Sequence, residues 1–292
     1  MFRGWAAALI HDKTWSHAAE CVTLGESTRL VRADYGGIGD AYRALRRKGG
    51  VHEVYHWDAE VAALVVPSGS GTPPVQNIWD PLQDLPLLCN LVTIATGTPS
   101  GNIIVLWSSN EFATGEKTVP LSEPGVAFEF LQGDLDRPLD DEAIRVLQKM
   151  WSTMALRRAP EHPFGRAVVA YFQTWRSQYL AEMCLHLGVA LNALGLDMGR
   201  VWLPATHPDA GEFERGLLEN GPFGAVLPTF FEHWSAVCRG REVDQLALAE
   251  IVPKVFTLVT DLLRWALTDD CIVRAYDQGS PVADLILRRF HG

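Results

Sequence analysis

Between residues 166 and 194 apolar side chains return at three- and four-residue steps. Val168, Phe172, Trp175, Tyr179, Met183, Leu187, Ala190 and Leu194 form one stripe, and Gly195 stands at its exit. This spacing predicts one long amphipathic helix that buries Phe172, Trp175 and Tyr179. Ahead of it, DDEAIRVLQKMWSTMALRR (140–158) opens acidic and closes basic, the charge order that a helix dipole favours. Residues 223–239 and 243–268 predict two more helices, the second kinked at Pro253 or started there. SPVADLILRRF (280–290) predicts a short last helix, with Ser280 as N-cap and Pro281 at the first helical position. From Leu139 onward the pattern is that of a helical bundle.

The first half is patterned differently. Residues 20–35 and 51–66 mix β-branched and aromatic residues with turn formers and predict strands. Between them GDAYRALRRK (39–48) predicts a short helix closed by Gly49 and Gly50, and PSGSGTPP (67–74) a loop. A helix follows over 81–97, then strands at NIIVLWSS (102–109) and VAFEFL (126–131). The expected class is α+β, with a mixed α/β region over 1–138 and a helical domain over 139–292. No internal repeat or low-complexity segment interrupts it.

Composition narrows the function classes. Of the 292 residues 48% are hydrophobic and 21% charged, as in globular rather than disordered chains. No run reaches the roughly 18 apolar residues needed to span a bilayer. The apolar run in MFRGWAAALIHDK is too short for a secretory core, so a cytoplasmic protein is expected, with no membrane partner. The five cysteines are scattered without a CxxC pair, which indicates neither a disulfide framework nor a thiolate zinc site. Residues 1–139 carry 10 Lys/Arg against 16 Asp/Glu, and 140–292 carry 15 against 19. Neither half has the basic excess of a protein that holds nucleic acid mainly through phosphates.

His52-Glu53-Val54-Tyr55-His56 satisfies the HExxH pattern of zinc peptidases, in which a helix sets two His one turn apart and the Glu deprotonates a metal-bound water. Gly49 and Gly50 interrupt any helix entering it, Asp58 puts a charge where that helix is apolar, and Glu60 is too close to serve as third ligand. The expected reading is two His on a strand, with no bound metal or other cofactor. A zinc hydrolase on His52, Glu53 and His56 is the alternative.

A second string, His233-Trp234-Ser235-Ala236-Val237-Cys238-Arg239-Gly240, closes the helix predicted to begin near Pro222. It resembles the signature of HEPN-domain proteins, Arg-Ser-Ala-Ile-Val-His-Gly at a helix end. Ser235, Ala236 and Gly240 stand as in that family, and Val237 and Cys238 are conservative, but the family's Arg falls on Trp234 and its His on Arg239. The surroundings are similar to Apea-type HEPN proteins in the same order: DPLQDLPLLCNLVTIATGTPSGNIIVLW (80–107), RSQYLAEMCLHLGVALNAL (176–194) and TLVTDLLRWALTD (257–269), with Arg264 at an often basic position.

The resemblance implies a helical RNA-binding or ribonuclease domain, often in antiviral defence or toxin systems and commonly dimeric. In active members an Arg and a His act on the scissile phosphate without metal, the His exchanging protons and the Arg stabilising charge. Trp234 does neither, though an indole stacks on bases. Arg239 pairs with phosphate but does not exchange protons near neutrality. His233 is rotated about 100° from Trp234 on a helix and does not replace it. Arg47 with His52 and Arg157 with His162 show the family spacing, but glycines interrupt the first pair and Pro160 the second, so neither is a helical pair. The expected function is a non-catalytic HEPN-like component of a defence or regulatory system that binds RNA or protein, a second copy of the chain included. Its contact residues would be Trp234, Ser235, Arg239, Arg241 and Arg264. The alternative within the resemblance is an active, metal-independent ribonuclease using His233 and Arg239.

Overall fold

The computed structural model describes residues 5–10, 13–35, 38, 61–65, 81–97, 103–108, 117–122, 138–196, 226–280, 282 and 285. The chain forms two compact units, one of Met1–Pro124 with Gln132–Ser152, the other of Gly125–Leu131 with Thr153–Gly292. Strands followed by helices make it α+β, as the patterning predicts.

In the first unit six strands form one sheet: β1 (Trp5–Ile10), β2 (Cys21–Thr23), β3 (Thr28–Arg32), β4 (Val61–Val65), β5 (Ile103–Ser108) and β6 (Lys117–Ser122). Their order is β2-β3-β4-β1-β5-β6 and every pairing is antiparallel. The apolar run near the N-terminus, read above only as too short for a leader, is thus a central strand. Ala7, Ala8, Leu9 and Ile10 are all buried. Successive strand residues face opposite ways, so both faces of β1 are covered. Segment 20–35 forms a hairpin rather than one strand. Pro120 lies in β6, an end strand of this order, beside a bulge in its pairing with β5, the setting in which strands tolerate proline.

Helix α1 (Asp84–Thr96) packs on β4 and β1 and is buried from Leu85 through Thr96. A helix with no polar face belongs inside a core. Its hydroxyls are absorbed internally: Thr93 Oγ1 donates to the Cys89 carbonyl at 3.2 Å and Thr96 Oγ1 to that of Val92 at 2.9 Å. The Thr28 hydroxyl donates to Asp84 at 3.2 Å and so ties β3 to the helix start. Asp140 caps α2 (Asp141–Arg157) by accepting from the Ala143 N–H at 2.8 Å.

The second unit holds the C-terminal end of α2 (Thr153–Arg157) with α3 (Pro163–Arg176), α4 (Leu180–Ala193), α5 (Leu227–Cys238), α6 (Gln245–Thr268) and α7 (Asp270–Asp277). One expectation is corrected here and another is narrowed. The stripe over 166–194 is two helices, not one, because the chain leaves the helix at Ser177, whose N–H bonds the Thr174 carbonyl and whose hydroxyl bonds that of Gln173. The three- and four-residue steps cross that break by coincidence. Phe172 and Trp175 are buried as expected, but Tyr179 becomes the N-cap of α4 and is 65% exposed. Nor does α6 start at Pro253. It starts at Gln245, where the Asp244 carboxylate accepts from the Leu246 N–H at 2.9 Å, and Pro253 lies inside it, between buried Val252 and Val255.

Packing between α3 and α6 centres on Tyr171, which stacks on Phe256 at 5.0 Å and bonds the Thr260 hydroxyl at 2.9 Å. Helix α7 is an element that periodicity did not predict. Asp269 starts it by accepting from the N–H groups of Cys271 and Ile272. The expected helix over 39–48, the loop over 67–74 and the strand over 126–131 lie outside the described residues, as does nearly all of the expected last helix. Among the described residues no helix is long and apolar enough to cross a membrane.

Candidate functional site

The HEPN-like string lies on α5 and in the turn after it. Helix α5 fully buries Leu227, Phe230 and Phe231, while His233–Val237 are half-buried and Cys238 is exposed. Arg239 is the C-cap, with its N–H on the Ser235 and Ala236 carbonyls, and its side chain is exposed. Gly240 follows in the left-handed region at φ 65°. Exposed Arg241, Glu242 and Asp244 complete the turn into α6. A cleft of about 530 Å³ opens at this corner, lined by Ala181, Val237, Gly240, Arg241, Val243 and Gln245 together with Glu242. Its lining combines the aliphatic Ala181, Val237 and Val243 with one charge of each sign, Arg241 and Glu242.

Trp234 turns away from this corner. Its indole Nε1 donates to the Leu185 carbonyl of α4 at 3.3 Å, and its ring meets Phe231 edge-on at 6.0 Å. The ring fits because residue 188 is glycine: a Cβ there would lie 2.1 Å from Trp234 Nε1. The pyrrole side of the indole is therefore laid against α4, and Trp234 is half-buried there. The structure gives Trp234 the role of a packing aromatic between two helices.

The remaining sequence candidates divide. Ser235 and His233 are half-buried on α5, and the Ser235 carbonyl serves the helix C-terminus. Arg239 and Arg241 share the corner. Arg264 does not join them, since it lies nineteen residues beyond Gln245 on α6, about 28 Å along the helix axis. It pairs instead with Asp261 at 3.0 Å, on the stretch of α6 that meets Tyr171. His52, Glu53 and His56 lie outside the described residues.

A second cluster was passed over in the sequence because Pro160 separates its members. Arg157 ends α2 and His162 begins α3, and the corner between them brings both to Asp277 at the end of α7. The Arg157 guanidinium grips Asp277 with two bonds, Nε at 2.7 Å and an Nη at 2.6 Å. His162 Nε2 lies 3.4 Å from the same carboxylate, and His162 Nδ1 caps α3 by accepting from the Phe164 N–H at 3.2 Å. The Arg157 bond holds the Asp277 carboxyl below its ordinary range. Burial pushes the His162 imidazole down, against the pull of Asp277. The signal missed in sequence was Asp277 itself, 120 residues from Arg157.

This cluster resembles an acid–base site in residue types alone. Arg157 already holds a carboxylate with both faces of its fork, and the free lone pair of His162 is engaged by the backbone. A phosphate approaching either group would have to displace a bond that holds the corner together.

No family model, curated protein or solved structure matches the chain.

Proposed function

We propose that this chain acts by binding rather than by cleavage, as a HEPN-like component of a defence or regulatory assembly, and that the α5–α6 corner is its contact surface. The observation that carries this reading is the division at the motif. Arg239 stands exposed at the helix end, where the resembling family places its proton-exchanging His, while Trp234 is packed against Gly188 in place of the family's Arg. A guanidinium offers only donors in a fixed fork, which suits it to contacts rather than to proton transfers.

A protein partner suits the corner better than RNA. Arg239 and Arg241 are balanced by Glu242 and Asp244, so the turn lacks the net positive field that a polyanion requires. Apolar anchors flank it: Tyr179 is 65% and Leu246 81% exposed, beside cleft residues Ala181 and Gln245 in the chain. Exposed aromatic and aliphatic side chains around a mixed-charge cleft form the usual make-up of a protein contact.

Three measurements on the full chain test this. RNA incubated with it in EDTA should remain intact, and a fluorescent single-stranded RNA should show no saturable binding at about 0.15 M salt. A partner isolated at fixed stoichiometry should be lost on Leu246→Asp or on Arg241→Glu. EDTA-resistant cleavage abolished by His233→Ala or Arg239→Ala would replace this reading with that of an active ribonuclease.

A further inference from the structure

The corner formed by Arg157, His162 and Asp277 joins three helices through one imidazole, and its geometry depends on that ring's protonation. Because Nδ1 accepts from the Phe164 N–H, the proton of the neutral ring sits on Nε2, towards Asp277. The ring lies 5.2 Å from Phe164, and Phe164 in turn packs on Tyr276 of α7 at 4.6 Å. The cap of α3, the aromatic contact to α7 and the carboxylate of α7 therefore all depend on one ring orientation.

We propose that Arg157, His162 and Asp277 form a proton-sensitive latch, which pins the end of α7 to the α2–α3 corner and loosens it on mild acidification. A second proton on the ring must go to Nδ1, the atom that caps α3. An N–H there faces the Phe164 N–H instead of accepting from it, so the cap is lost and the ring must turn.

The surrounding charges decide which way the latch leans. From α7, Asp277 favours the imidazolium, but Arg157 already neutralises that carboxylate. From α2 and α3, Arg157 and Arg166 repel a second positive charge, and burial adds to their effect. Tyr276, which packs on Phe164, is buried and stays neutral, with its hydroxyl on the Leu194 carbonyl at 2.8 Å, and Arg274 is turned back onto its own helix, with Nε on the Asp270 carbonyl. The closed corner therefore holds the ring neutral. An open corner takes the proton more readily, so closure is favoured above the ordinary imidazole range and weakens as pH falls through it. Asp277, held below the ordinary carboxylate range, keeps its charge throughout that window.

Hydrogen exchange of the full chain, corrected for intrinsic rates at each pH, reads the latch directly. Between about pH 7.5 and about pH 5.5, protection at 164–168 and 271–277 should fall about tenfold, while α1 keeps its own. His162→Asn supplies a capping oxygen that does not titrate, so that variant should hold its protection at both pH values. Wild-type protection that is unchanged across the window, or an Asn variant that loses as much as wild type, would overturn the latch. The wild-type measurement decides alone if the variant fails to fold.

Discussion

The helical unit turns two corners that look alike in sequence, each with charged residues beside a helix end, and the structure uses them in opposite ways. At the α2–α3 corner Arg157 holds Asp277 and His162 caps α3, so the polar groups are engaged in holding three helices together. At the α5–α6 corner Arg239, Arg241 and Glu242 face solvent around a cleft. The string that resembles the HEPN signature lies at the second corner, whereas an Arg and a His five residues apart, Arg157 and His162, lie at the first. What separates the corners is bonding: a group held by fold-making bonds is a poor ligand contact, and an unbonded solvated group adds little to stability.

The contrast is sharpest at Gly165, inside the tied corner. A Cβ there would lie 2.2 Å from the Ala159 carbonyl oxygen, and backbone cannot swing aside as a side chain can. Gly165→Ala should cost about 3 kcal/mol, the upper part of the overpacking range, in a urea titration followed by circular dichroism. A neutral outcome would mean that the α2–α3 turn is not packed as tightly as drawn.

Gly188→Ala probes the seat of Trp234 behind the open corner. Alanine gains about 1 kcal/mol of helix propensity, while crowding the indole costs about 2 kcal/mol, so a net loss of about 1 kcal/mol is expected. The sign is informative. Stabilisation would show that the ring leaves α4 without penalty, and it would return Trp234 to the candidates for stacking.

The smallest effect is expected at the open corner itself. The Arg239→Ala, Arg241→Ala double variant should change the unfolding free energy by less than about 0.5 kcal/mol, as exposed positions do. A loss several times larger, measured in the same titration, would make the corner structural and erase the contrast with Arg157.

Much of the architecture was legible along the chain. The helix over 81–97, the strand at 102–109 and the helix over 140–158 all form within a few residues of their patterned bounds. Strong local periodicity and end signals made them so, as with the acidic start of α2. The misreadings share another cause. The break at Ser177 interrupts a stripe whose steps continue across it, so Tyr179 was assigned to a face that the chain had already left. The N-terminal apolar run was too short to identify itself, and it became a central strand only because β4 and β5 pair with it on either side. Of the candidate site, the sequence placed the string 233–240 at a helix end, where α5 does end. It did not reveal that Trp234 turns inward, since that depends on a glycine on another helix.

By itself, then, the sequence determined the α+β division, the helical character of the second half and the residues standing at the end of α5. These follow from local pattern, because periodicity and capping act over a few residues of one chain segment. Only the tertiary structure decided which polar residues remain available. Arg157 and Asp277 lie far apart in sequence, as do Gly188 and Trp234, and no local signal shows that they meet. A side chain's bonding capacity and exposure are set by what packs against it, and packing is chosen by the whole fold.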